Sequence, residues 1–152
     1  MNRGFYLTLM MGGFNASPVS QAVIDALTEV TVSSTVGAQG GFQLNFTLGK
    51  NSVVQQMLNS GKFDPRTRVV IAVTVNGSTE VLMDGIITKQ DMTPSSAAGK
   101  STLSITGLDL TALMDFIDLT GIPYPALPEF VIVELILAKY AVLGVVPIAL
   151  PA

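Results

Sequence analysis

The chain has 152 residues, of which 49% are hydrophobic and only 12% charged, with a net charge of −3 at neutral pH. It contains neither cysteine nor histidine, which excludes disulfides, thiolate metal sites and any Ser-His-Asp or Cys-His catalytic arrangement. So little charge, with a mean hydropathy of +0.55, predicts faces buried against neighbouring proteins; the eight scattered basic residues give no stripe that would read nucleic acid in a sequence-specific way.

In chain order, Gly4–Met11 reads as a first strand rather than a signal segment, because Thr8 interrupts its apolar run and Gly12-Gly13 follows. Ser17-Pro18 predicts the start of a short helix through Leu27, with Ser17 as N-cap and proline at the first helical position. Thr28–Val36 alternates as a strand, and Gly37–Gly41 makes a turn. In the next strand, Phe42–Leu48, the residues Phe42, Leu44, Phe46 and Leu48 share one face, and Gln43, Asn45 and Thr47 the other. Ser52–Ser60 predicts a helix stopped by Gly61, and Lys62–Arg66 is a connector.

The stretch from Thr67 to Met114 is the most informative. Two β-branched runs, Arg68–Val75 and Glu80–Lys89, flank Asn76-Gly77, whose tolerance of positive φ predicts a tight hairpin. Val69, Ile71, Val73 and Val75 share one face of the first strand; Val70, Ala72 and Thr74 share the other. Both rows are largely apolar, which predicts a strand covered on both sides. Gly85 after Asp84 predicts a bulge or a close backbone approach. A polar loop, Pro94–Lys100, leads to a strand at Ser101–Thr106 and a short helix over Asp109–Phe116, which Asp109 is placed to cap.

Asp118–Leu127 reads as a loop and Pro128–Leu143 as a last helix, apolar except for Glu134 and Lys139. Those central charges, and Gly144 and Pro147 beyond them, argue against a membrane span and for a helix enclosed by protein. Val145–Ala152 resumes an extended run. Asp115 and Asp118 are three apart, the spacing at which a glycosidase-like carboxylate pair would be sought, but nearby carboxylates on a helix end are ordinary solvated groups. No EF-hand spacing and no phosphate-binding glycine loop occurs. A catalytic site, a metal and a cofactor are therefore not expected. The fold class expected is mainly β (α+β), an antiparallel β-barrel with short attached helices.

The ordered set Gly41-Phe42-Gln43-Leu44-Asn45-Phe46, then Val81–Thr88, then Ser101–Leu110, then the helix with Leu137–Ala141 and Val146-Pro147, resembles the baseplate hub proteins of contractile phage tails. That family includes the late-control D type proteins and the hub part of type VI-like injection spikes. The resemblance runs from about Gly41 to Pro151. It covers the first barrel and part of the helical insertion of what are usually longer, two-barrel hubs, so the chain reads as a short hub or the N-terminal part of one. The resemblance implies a tube-like barrel over residues 1–116, and a helical insertion with the start of a further segment over 117–152.

It also implies a homotrimeric ring that joins the tail tube to the central spike within the baseplate wedges. Tube, spike and wedge proteins would be its partners, in a virion assembled in the host cytoplasm. For such a ring, Val69, Ile71, Val73, Val75, Val81, Met83, Ile86 and Thr88 of the hairpin are the expected intersubunit residues, and Gln43, Asn45 and Thr47 the expected lumen-facing ones. A tail tube or tube-initiator protein of the same machinery is the alternative.

Overall fold

The computed structural model describes residues 4–13, 15–97, 101–116 and 127–141. The chain divides into two compact units, Met1–Ala112 and Leu113–Ala152.

The first unit is a seven-stranded antiparallel sheet in the order β2-β1-β5-β6-β7-β4-β3. Its strands are β1 (Phe5–Gly12), β2 (Ser17–Pro18), β3 (Leu27–Ser33), β4 (Gly41–Leu48), β5 (Arg68–Val75), β6 (Ser78–Thr93) and β7 (Ser101–Asp109). Helices α1 (Gln21–Ala26) and α2 (Val53–Asn59) interrupt them. The local signals explain most of these elements. Asn76 and Gly77 both have positive φ, 52° and 85°, so the β5–β6 turn matches the twist of its strands. Ser52 caps α2 by accepting from the Gln55 N–H at 3.2 Å, and Gly61 ends the turn beyond it at φ 73°.

The sheet is curled. Pro18 at one edge and Leu27 at the other are joined only by Val19, Ser20 and α1. Seven flat strands would hold those edges about 29 Å apart, whereas this link reaches about 21 Å at full stretch. Among the described residues no ladder joins β2 to β3. The gap is filled instead by α1, whose Val23 is fully buried in the core. One row from each long strand points into that core: Leu9 and Met11, Phe42 to Leu48, Val69 and Ile71, Met83 and Ile87, Leu103 and Ile105. Val54 of α2 and Phe63 of the following connector close it, with the Phe63 and Phe46 rings 5.5 Å apart.

Two local expectations change, and a third is resolved between its alternatives. Ser17-Pro18 is not a helix start but a short edge strand, paired with Met10 and Met11. Proline lacks the N–H a central strand needs and is suited to an edge, and the helix begins only after Ser20. At Gly85 the close backbone approach holds rather than the bulge: the Leu108 carbonyl and the Phe42 ring come close there. The bulges of β6 fall instead at Leu82 and Thr88, where the registers with β5 and β7 each skip one residue. Finally β6 and β7 run further than expected, to Thr93 and Asp109. Asp109 does cap the short helical stretch Leu110–Phe116, accepting from the Thr111 N–H at 2.9 Å.

In the second unit, α3 spans Glu129–Ala138. Its last turn tightens, with the Tyr140 N–H donating to the Leu137 carbonyl at 2.9 Å. Tyr140 is buried and its hydroxyl lies 3.5 Å from the Met114 carbonyl. Phe130, Val133 and Leu135 are exposed, and no residue of the helix is fully buried. Residues 142–152, and with them the extended run beyond the helix, lie outside the described residues.

Candidate assembly surfaces

The β5–β6 hairpin outruns the core. Along the inner row of β5, Val69 and Ile71 are fully buried, Val73 nearly so, and Val75 is 47% exposed. Across the ladder β1 behaves alike: Phe5, opposite Val75, is 70% exposed, while Leu9, opposite Ile71, is buried. Tyr6, Val81 and Leu82 add to this apolar end. A hollow of about 370 Å³ opens there, lined by Phe5, Val73, Val75, Ser78, Glu80 and Leu82.

Of the residues expected at a subunit contact, Val69, Ile71, Val73, Met83 and Ile86 are buried within the chain itself. Val75, Val81 and Thr88 remain exposed. The bulge at Leu82 separates two of these residues. Val81 pairs with Ala72 and Met83 with Ile71, so residues two apart lie on opposite faces. Phe5, Tyr6 and Leu82 were not singled out in the sequence. The adjacent aromatic pair was a visible signal, but its place beside the hairpin depends on the long-range β1–β5 register.

The outer row of β5 is buried too: Val70, Ala72 and, across from Arg68, Ile86 are each under 10% exposed. The expectation of cover on both sides holds for this strand. Arg68 lies in that row, and its Nε donates to Asp84 Oδ1 at 2.8 Å while a second guanidinium nitrogen bonds the other oxygen. The bond to Asp84 raises the Arg68 pKa above the ordinary guanidinium value against the lowering effect of burial.

The other half of the outer sheet face is polar. Gln43, Asn45 and Thr47 share it, as their alternation predicts, with their apolar neighbours in the core. Asn45 donates to Glu29 of β3 at 2.8 Å, and Gln43 donates to Asn45 at 3.2 Å and to Ser104 of β7 at 3.1 Å. Thr47 stands opposite Thr102. Lys89 and Asp91 pair at 2.7 Å on β6, opposite Thr106 and Ser104. This chain of side-chain bonds across three strands holds a hydrophilic surface in place. Glu29 and Ser104 belong to it through cross-strand registers that the sequence alone does not give.

At the far end of the β1–β5 ladder a groove of about 620 Å³ runs between the end of β1 and α2. Met11, Val53, Met57 and Pro65 line it together with Lys62 and Arg66. Among the described residues no three acidic groups gather as a metal site would require, and Asp118, of the Asp115–Asp118 pair, lies outside them. No helix among the described residues is long and apolar enough to cross a membrane.

No protein-family model matches the chain, and no curated protein matches it. Among solved structures it is similar to the crystal structure of the tail protein from Neisseria meningitidis MC58, at 17% identity and a TM-score of 0.40. The match covers 73% of this chain and 26% of that one, so the chain spans about a quarter of that protein's length.

Proposed function

We propose that this chain is a structural, non-catalytic hub component of a phage-type contractile tail baseplate, acting as a trimeric ring between the tail tube and the central spike. The observation that carries this reading is the division of one curled sheet into two surfaces. An apolar hairpin end, with Phe5, Val75, Val81 and Leu82 exposed, stands at one end, and a hydrogen-bonded polar face through Gln43 and Asn45 covers β3, β4 and β7. A ring needs both kinds of surface: apolar patches to join copies and a polar wall toward a wet channel. The ordered motif set from Gly41 to Pro151 supports the same reading.

The mechanism is geometric. Val75, Val81 and Thr88 of the hairpin lie against the neighbouring subunit, and Gln43, Asn45 and Thr47 face the channel. The exposed apolar helix α3 is enclosed by further protein, as are free strand edges, which would otherwise recruit stray strands. Tube, spike and wedge proteins are the partners, and the virion baseplate is the location.

The test is the mass of the purified chain in detergent-free solution by light scattering. A trimer of the 16.0 kDa chain is the expected result. A hexamer would replace the hub by a tail tube or tube-initiator protein. A monomer at all concentrations would overturn self-assembly through these surfaces.

A further inference from the structure

We propose that the tip of the β5–β6 hairpin of one copy seats in the end groove of a second copy. The inference rests on the reading of that hairpin as an intersubunit element, and it names the surface that receives it.

The two surfaces are complementary in charge and character. The tip is apolar, with Phe5, Val75 and Leu82 exposed, and the charged group lining its hollow is acidic Glu80. The groove is also apolar, lined by Met11, Val53, Met57 and Pro65, and the charged groups lining it are the basic Lys62 and Arg66. An apolar contact with opposite charges at its margin fixes both attraction and orientation. The tip is the end of a protruding hairpin, and the groove of about 620 Å³ between β1 and α2 is the side that receives it.

The complementary charge of the two surfaces selects a copy of this chain as the partner, and their placement requires that copy to be a different one. The tip lies where Phe5 meets Val75, and the groove lies beyond Gly12, which meets Arg68. Seven residue steps separate them, a distance of about 23 Å along a rigid ladder. A chain cannot reach its own groove with its own tip. Each copy therefore offers one donor and one acceptor end. Such an interface is head-to-tail, and it closes a ring when the rotation between copies permits.

Light scattering over a concentration series of the full chain tests this with Glu80→Lys, Lys62→Glu and the two combined. Both positions are exposed, and circular dichroism checks that each variant folds as the wild type does. Each single reversal is expected to weaken association about tenfold, and the combined variant to return it to within about threefold. A control pairing Glu80→Lys with Lys89→Glu, on the polar face, should restore nothing.

Unchanged association in the single variants, no recovery in the combined one, or equal recovery in the control would overturn the docking. If the wild type is nonetheless a trimer, the ring reading stands without it. Recovery together with open-ended growth supports the docking and removes the trimeric ring. A wild-type monomer overturns both.

Discussion

Arg68 grips both carboxylate oxygens of Asp84 diagonally across the β5–β6 ladder, since Arg68 stands opposite Ile86 and Asp84 opposite Val70. The pair interrupts an otherwise apolar outer row of buried Val70, Ala72 and Ile86. Together with the Thr74–Thr79 hydroxyl bond at 2.7 Å nearer the turn, it fixes the register of two strands whose remaining contacts on this face are interchangeable aliphatics.

Asp84→Asn should lower the unfolding free energy by about 1 kcal/mol, because a forked pair this far from bulk water exceeds an open surface pair only modestly. The Arg68 pKa is raised in the folded chain by Asp84. With Asp84 charged, the Arg68 contribution is therefore full below its ordinary value and is lost only as the pH climbs through the raised one. Urea unfolding at about pH 6 and about pH 9 should give the same Arg68 contribution. A difference between wild type and Arg68→Met that shrinks within that window would contradict it.

Phe42 packs over two glycines of adjoining strands. A Cβ on Gly85 would stand 3.0 Å from its ring and meet the Leu108 carbonyl; a Cβ on Gly107 would run into the ring and the Ile86 carbonyl. Gly107→Ala should cost about 1–3 kcal/mol through overpacking. With Phe42→Leu added, the double variant should be more stable than the sum of the two losses predicts. Additive losses in denaturant titrations would show that the ring does not hold that position.

Phe63→Ala removes a fully buried ring that meets Phe46, and should cost about 3–5 kcal/mol. Val36→Ala, in a turn where the side chain is wholly exposed, should stay within about 0.5 kcal/mol of wild type. Thermal unfolding of the two variants side by side measures the contrast.

Gly77→Ala puts a side chain at φ 85° and should cost about 1 kcal/mol. The turn carries no core contact, so the loss should appear in melting temperature without a change in the denaturant slope.

Several elements were legible because their cause is local. The alternation Phe42-Leu44-Phe46-Leu48 gave β4 both its faces, Asn76-Gly77 gave the hairpin, and Ser52 with Gly61 bounded α2. What escaped depends on distant partners. Ser17-Pro18 has the chemistry of a helix start and of an edge strand alike, and only pairing with Met10 and Met11 decides between them. The bulges at Leu82 and Thr88 carry no glycine and no proline, so alternation across them assigns faces wrongly, as it does for Val81 relative to Met83. For the candidate surfaces, the polar row of β4 could be read directly. The apolar end could not, because Phe5 joins Val75 across seventy positions of chain.

The seam between β2 and β3 is held by α1 and its side chains, whereas every other junction between neighbouring strands is a backbone ladder. Side-chain packing can loosen without breaking a run of main-chain hydrogen bonds. Amide hydrogen exchange should therefore begin at α1 and the outward edge of β3 and reach β5, β6 and β7 last. The curled sheet thus has a built-in zip line, a place where the unit is free to loosen while its five central strands keep their register.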